Sequence, residues 1–330
     1  EWLDKTLHKT VMYTQQGGQF DMSLQVTIPN EWKKIAPVNV GYTAGIETTL
    51  VAPQWIEKSK EMDRIIVVSN HSKEVYESTS YGMMNPQTKE RTGTLKCDTP
   101  IKTVNYPVKD TTDVNPEDLG LDLSTDFNLL CVAQWGPRKN IHNTIEWFIE
   151  EFQDDEDVGL VLKVFHMNTS NMDRVFIKAQ LKAMLDSYPD RKCKIHLVHG
   201  HMSENDIHSL YKHPKIKGLI TLTHGEGYGL PIFEAAYCGL PVAAPAWSGH
   251  MDFLMAPSNS KKSDKMRPHF LKIEHVLGPV PEESLWEGVI QQGSQWAEPQ
   301  EGSFKKQIRD LKKNHSRHQG TANRLQKYIL

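Results

Sequence analysis

The chain has 330 residues, with 38 Lys plus Arg against 41 Asp plus Glu and a formal net charge of −3. That length is enough for two domains of ordinary size, and the near balance of charge excludes a nucleic-acid protein held by bulk electrostatics. No apolar run reaches the roughly 20 residues that a helix needs to cross a bilayer, and no targeting pattern opens the chain, so a cytoplasmic protein is expected.

In chain order, the first part predicts strands at 24–28, 38–42, 65–69 and 102–106 and helices at 55–62 and 73–78. Ser69 reads as an N-cap for the second helix. Residues 82–100 are polar, with Gly, Pro and Thr, and read as a loop. Residues 109–124, rich in Asp, Thr and Pro, read as a linker. Beyond it, apolar strands at 127–133, 159–165, 194–198, 218–222 and 241–244 alternate with helices at 141–152, 175–188, 203–211 and 232–238. Such alternation predicts an α/β parallel sheet covered on both faces, with ligands bound beyond the carboxyl ends of its strands. The tail 303–330 is basic and amphipathic, and reads as helices packing back on the first domain; a membrane-facing helix, giving peripheral association, is the alternative. Cys97, Cys131, Cys193 and Cys238 are dispersed without a CxxC pair, so they read as buried free thiols rather than zinc ligands or disulfides.

Two strand-end segments carry the chemistry. Thr223-His224-Gly225-Glu226-Gly227-Tyr228-Gly229-Leu230-Pro231-Ile232-Phe233-Glu234 places two glutamates eight positions apart around a Gly-x-Gly turn that opens a helix. Glycines let backbone amides approach a phosphate, and the helix N-terminus adds partial positive charge. A carboxylate accepts hydrogen bonds from sugar hydroxyls. The second segment, Gln134-Trp135-Gly136-Pro137-Arg138-Lys139-Asn140, offers Arg138 as a planar fork and Lys139 as a point charge for a diphosphate. Paired carboxylates also occur in glycoside hydrolases, but the glycines and the basic pair suit a phosphate better. His199 follows a strand and reads as a contact for a nucleotide base. Asp252, in Ser248-Gly249-His250-Met251-Asp252, reads as pointing at the same site or as capping a short helix.

Arg138-Lys139-Asn140, His224-Gly225-Glu226-Gly227-Tyr228-Gly229-Leu230-Pro231 with Glu234, and Cys238-Gly239-Leu240-Pro241-Val242 resemble the retaining glycosyltransferases of GT-B fold that carry an E-x7-E motif. The likeness is clear over residues 127–254 and fainter at Gln295-Trp296-Ala297-Glu298-Pro299. It implies two Rossmann-like domains with parallel sheets facing across a cleft: an acceptor-side domain at 1–124, incomplete at its start, and a donor-binding domain at 125–302. It also implies transfer of a sugar from a nucleoside-diphosphate sugar, UDP- or GDP-linked, to a glycan, lipid or small-molecule acceptor. Neither a metal nor any cofactor beyond that donor is expected.

In that scheme Glu226, Lys139 and Arg138 are catalytic. Glu234, Gly227, Tyr228, Gly229, Leu230, His199 and Asp252 bind the donor. On the acceptor side, Tyr42 and Glu47 stand where the family often has a histidine, and Gly17-Gly18 is the nearest counterpart of its first-domain glycine loop. A nucleotide-sugar isomerase of similar fold and a non-catalytic nucleotide-sugar binder are the alternatives.

Overall fold

The computed structural model describes residues 1–107, 114–257 and 265–330. They form two compact units, Glu1–Asn105 with Leu285–Gln292 and Tyr106–Ser284 with Gly293–Leu330. Most of the first half of the expected linker, 109–113, lies outside the described residues; beyond it, Pro116–Leu119 make one 3₁₀ turn.

Unit 1 opens with α1 (Trp2–Gln15), which buries none of its side chains. Gly17 and Gly18 follow this helix, not a strand, so they do not form the glycine loop expected at a strand end. Then come β1 (Met22–Val26), β2 (Val38–Thr43), α2 (Pro53–Ser59), β3 (Arg64–Val67), α3 (Asn70–Ser78), β4 (Ser80–Met84), β5 (Arg91–Lys96) and β6 (Ile101–Thr103). Strands β1-β2-β3-β6 make a parallel sheet. Its core gathers Trp32, Trp55, Ile56, Ile65 and Tyr76. Gly41 sits in β2 because the Trp32 indole lies flat on it: a Cβ there would come within 2.5 Å of the ring. Ser69 caps α3, its hydroxyl accepting from the Ser72 amide at 3.2 Å. The expected loop at 82–100 is instead largely an antiparallel hairpin of β4 and β5. Most of its side chains are exposed, so it lacks the apolar alternation that marks a strand in sequence.

Unit 2 runs β7 (Phe127–Gln134), α4 (Ile141–Phe152), β8 (Val158–Phe165), α5 (Asn171–Asp186), β9 (Lys194–Val198), α6 (Glu204–Tyr211), β10 (Ile216–Ile220), α7 (Leu230–Tyr237), β11 (Val242–Pro245) and α8 (Met251–Leu254). It continues with β12 (Met255–Pro257), β13 (Met266–Pro268), β14 (Leu271–Ile273), β15 (His275–Pro279), β16 (Gln295–Pro299), α9 (Glu301–Lys313) and α10 (His315–Ile329). Six parallel strands stand in the order β14-β11-β10-β7-β8-β9. The chain steps outward from β7 to β9, then returns to β10 on the other side of β7. Right-handed crossovers therefore put α4 and α5 on one face and α6 and α7 on the other. Leu129, Leu160 and Leu162 pack with Ile145, Phe148, Ile177 and Leu181 on the α4–α5 face. The reversal falls between β7 and β10, and ligands of open parallel sheets bind beyond the strand ends at such a point.

The closing helices correct the expectation for the tail: they belong to unit 2. Helix α9 packs on α4, β11 and β14, and α10 on α7 and α9. Phe304, Ile308 and Leu311 are fully buried in the same core as α4. The reason is the sheet itself, whose β10, β11 and β14 would otherwise lack a helix on that face. Gly218 makes room for this packing, since a Cβ there would meet Leu311 Cδ2 at 2.7 Å. The four thiols are unpaired; Cys131 and Cys193 are buried, Cys97 and Cys238 only partly.

Candidate functional site

Three loops meet at the carboxyl ends of β7, β10 and β11, and each turns through a left-handed residue. After β7, a 3₁₀ turn at Pro137–Lys139 ends at Asn140, with φ 51°, which begins α4. After β10, residues 221–229 lead to Gly229, with φ 94°, at the start of α7. After β11, Ser248 has φ 77° just before α8.

The first two loops are stapled together. The His224 amide donates to the Arg138 carbonyl at 2.8 Å. Lys139 Nζ donates to Glu226 Oε1 at 2.5 Å, and Arg138 Nη1 reaches Glu226 Oε2 at 3.3 Å and the Gly225 carbonyl at 2.7 Å. The third loop closes over the same carboxylate residue. Ser248 Oγ accepts from the Glu226 amide at 2.9 Å, and the Gly249 amide donates to the Glu226 carbonyl at 2.9 Å. Any side chain at 249 would overlap the Gly227 carbonyl, so the close approach requires glycine there.

Glu226 is 7% exposed. Burial alone would raise its carboxyl, but the charges of Lys139 and Arg138 and the hydrogen bond from Lys139 outweigh that and hold it at about 2. It is therefore an anion at neutral pH whose cations are aimed into one small volume. Tyr228 packs its ring against Tyr106, Phe233 and Phe253, and its hydroxyl donates to the Tyr106 carbonyl at 3.3 Å. Gly227 is buried and Leu230 exposed, so the first turn of α7 opens outward. His224 stacks on Trp296 at 4.3 Å and 10° and bonds the Ala297 carbonyl at 2.6 Å, tying the loop to β16.

Glu234 stands one turn into α7, on the α6 side. Tyr211 of α6 donates its hydroxyl to Glu234 Oε2 at 3.0 Å. Burial raises the Glu234 carboxyl above its usual range, and nearby Glu204 adds to this, while the Tyr211 bond opposes it. Glu234 and Glu226 thus have opposite electrostatic settings: one is held ionised by cations, the other is made readier to take a proton by burial.

The other expected residues scatter. His199 turns inward: its Nε2 lies 2.8 Å from Asp173 Oδ2, with both side chains almost wholly buried. Asp173 also accepts from the His166 and Met167 amides, at 2.9 and 2.8 Å. His199 is thus a strut for the loops after β8 and β9, not a group presented to a base. Asp252 lies in the first turn of α8, half-buried. Tyr42 is the next-to-last residue of β2 and Glu47 follows the Gly45 turn, both half-buried and both in unit 1. Sequence reasoning missed the clasp by Ser248 and Gly249 and the strut at Asp173. The Ser170-x-x-Asp173 spacing, a helix-start signature, was a signal for the latter; the former had none beyond a glycine in a loop.

Among the described residues, no group of three or more His, Cys, Asp or Glu is arranged to hold a metal ion, and no helix is long and apolar enough to cross a membrane. No protein-family model and no curated protein matches the sequence. Solved structures do. Sucrose-phosphate synthase from Thermosynechococcus elongatus is similar at TM-score 0.60 and 11% identity, over 97% of this chain and 71% of that one. The catalytic domain of starch synthase IV from Arabidopsis thaliana, bound to ADP and acarbose, matches at 0.56 and 12%, over 96% and 70%. TarM matches at 0.54 and 12%, over 94% and 51%. The fold is that of the GT-B glycosyltransferases. The chain spans about half the length of several of the structures it matches, 48% and 51% in two of TarM.

Proposed function

We propose that this chain is a retaining glycosyltransferase that moves a hexose-type sugar from a UDP- or GDP-sugar to an acceptor hydroxyl on a glycan, lipid or small molecule. The observation that carries the reading is the buried Glu226 carboxylate held by Lys139 and Arg138 beside the N-terminus of α7, at the strand-order reversal of a parallel sheet. As the glycosidic bond to the donor breaks, negative charge grows on the departing diphosphate. Lys139 and Arg138 are in place to receive it without reorganising, and the amides of Gly227, Tyr228, Gly229 and Leu230 at the start of α7 add to the effect. Glu226, ionised at neutral pH, accepts from the sugar hydroxyls and offsets positive charge developing at the anomeric carbon. Glu234 accepts from the ribose hydroxyls, with Tyr211 fixing its rotamer. Asp252 lies at the edge of the donor site, and Tyr42 and Glu47 serve the acceptor side. Retention of configuration follows the resemblance to the E-x7-E enzymes.

Sugar transfer from UDP- and GDP-sugars to an acceptor panel tests this. Lys139→Ala is expected to lower kcat/KM about 10²- to 10³-fold, the usual cost of losing one preorganised charge-stabilising donor. Glu234→Ala acts mainly on the KM for the donor. Unchanged turnover in both variants overturns the assignment. Product formed from donor without acceptor marks an isomerase instead, and binding without turnover marks a non-catalytic binder.

A further inference from the structure

Lys163 is a half-buried cation with no counter-charge among the described residues. It sits in the last turns of β8, opposite Val132 of β7 and Val198 of β9. Its neighbours Leu162 and Val164 face the α4–α5 core, so alternation turns Lys163 to the α6–α7 face, the one that carries Tyr211 and Glu234. The side chain is half-buried. Its Nζ donates to the Gly200 carbonyl at 2.6 Å, and no carboxylate among the described residues pairs with it. Burial pushes its ammonium below the usual lysine range. Packing does not ask for this residue, since an aliphatic side chain would fill the same strand position without desolvating a charge. Two of the three ammonium donors stay available. Gly200 itself has φ 124°, and the loop that holds it is braced by the His199–Asp173 strut.

The location is specific. Strand β8 is two strands from β10 on the same face and at the same end of the sheet, so at about 4.8 Å per strand Lys163 lies roughly 10 Å across from the strand that leads to Glu226 and Glu234. Glu234 is turned toward α6, where Tyr211 donates to it, so a nucleoside whose diphosphate sat at Lys139 and whose ribose sat at Glu234 would carry its base along this same face.

We propose that Lys163 and the Gly200 carbonyl read the base of the nucleotide, the ammonium donating to a ring carbonyl oxygen and the Gly200 oxygen accepting the adjacent ring N–H. The inference rests on the nucleoside-diphosphate reading above and names its specificity. Uracil and guanine both offer a carbonyl oxygen beside a ring N–H. Adenine offers an amino donor beside a bare ring nitrogen, so both contacts are reversed and the ammonium faces a donor. The pair selects UDP or GDP against ADP.

Calorimetric titration of the full chain with UDP, GDP, ADP and pyrophosphate tests this. Wild type is expected to bind UDP or GDP about tenfold or more tightly than ADP, because the wrong base leaves buried polar groups unpaired. Lys163→Met is expected to erase that preference while pyrophosphate binding stays as it was. Lys163→Gln, which keeps a neutral donor, is expected to lose less and gives the same comparison if methionine disturbs folding. Lys139→Ala is expected to weaken all four ligands. A preference that survives in Lys163→Met, or wild type binding ADP as tightly as the other two, overturns the base assignment and leaves the nucleotide reading standing. If wild type binds pyrophosphate but gains nothing from any nucleoside, or binds none of the four, the nucleotide reading falls and the role of Lys163 with it.

Discussion

Glu226 shows how much of a site can rest on one carboxylate. Its carboxyl is held at about 2 instead of the ordinary 4.5 because two cations outweigh the cost of burial. An unfolded chain has no such cations, so the residue adds stability that is fully present above about 4.5 and is lost as pH falls through about 2. Urea unfolding of wild type and Glu226→Gln should therefore show a stability gap that narrows between about pH 5 and about pH 3. A gap that is constant over that range would mean that the ion pair does not hold in solution. Glu226, Arg138 and Lys139 were legible in the sequence because glycines and paired charges at strand ends are unusual without a ligand. Asn140 and Ser248 were not: nothing in a residue name announces a left-handed turn on a side chain that bears a Cβ. His199 misled, because a histidine after a strand looks the same whether it turns outward to a ligand or inward to Asp173.

The elements divide by how their apolar groups are spaced. Strands β7, β8 and β10 are mostly buried and mostly apolar, so the order of elements in unit 2 could be read directly. The β4–β5 hairpin and the three-residue β14 could not, since the first is mostly exposed and the second is too short to show a period. The amphipathic stripe of α9 was visible, but the surface it covers was not, because that depends on which sheet face lacks a helix. This packing makes a prediction. Leu311→Ala, at a fully buried position, should cost about 2–5 kcal/mol in urea unfolding. Arg309→Ala removes only a mostly exposed partner of Glu151 and should cost under about 1 kcal/mol. Equal effects would mean that α9 is held by its ion pairs and not by its apolar stripe.

At the scale of the molecule, each unit has its own core and its own parallel sheet, and the proposed nucleotide ligands are all in unit 2. A nucleoside diphosphate at about 100 times its Kd should stabilise the unit that binds it by about 2.7 kcal/mol. Differential scanning calorimetry should then show UDP or GDP raising the transition assigned to unit 2, as located by Leu311→Ala. A rise confined to the other transition would place the ligand in unit 1. The clasp of three left-handed turns around Glu226 has a kinetic consequence as well. Asn140, Gly229 and Ser248 already hold their loops in place through backbone bonds and a close glycine contact, so none of these three loops has to order when ligand arrives. Capture of an anionic nucleotide by these loops then becomes a matter of diffusion and charge, with an association rate that falls as salt screens Lys139 and Arg138.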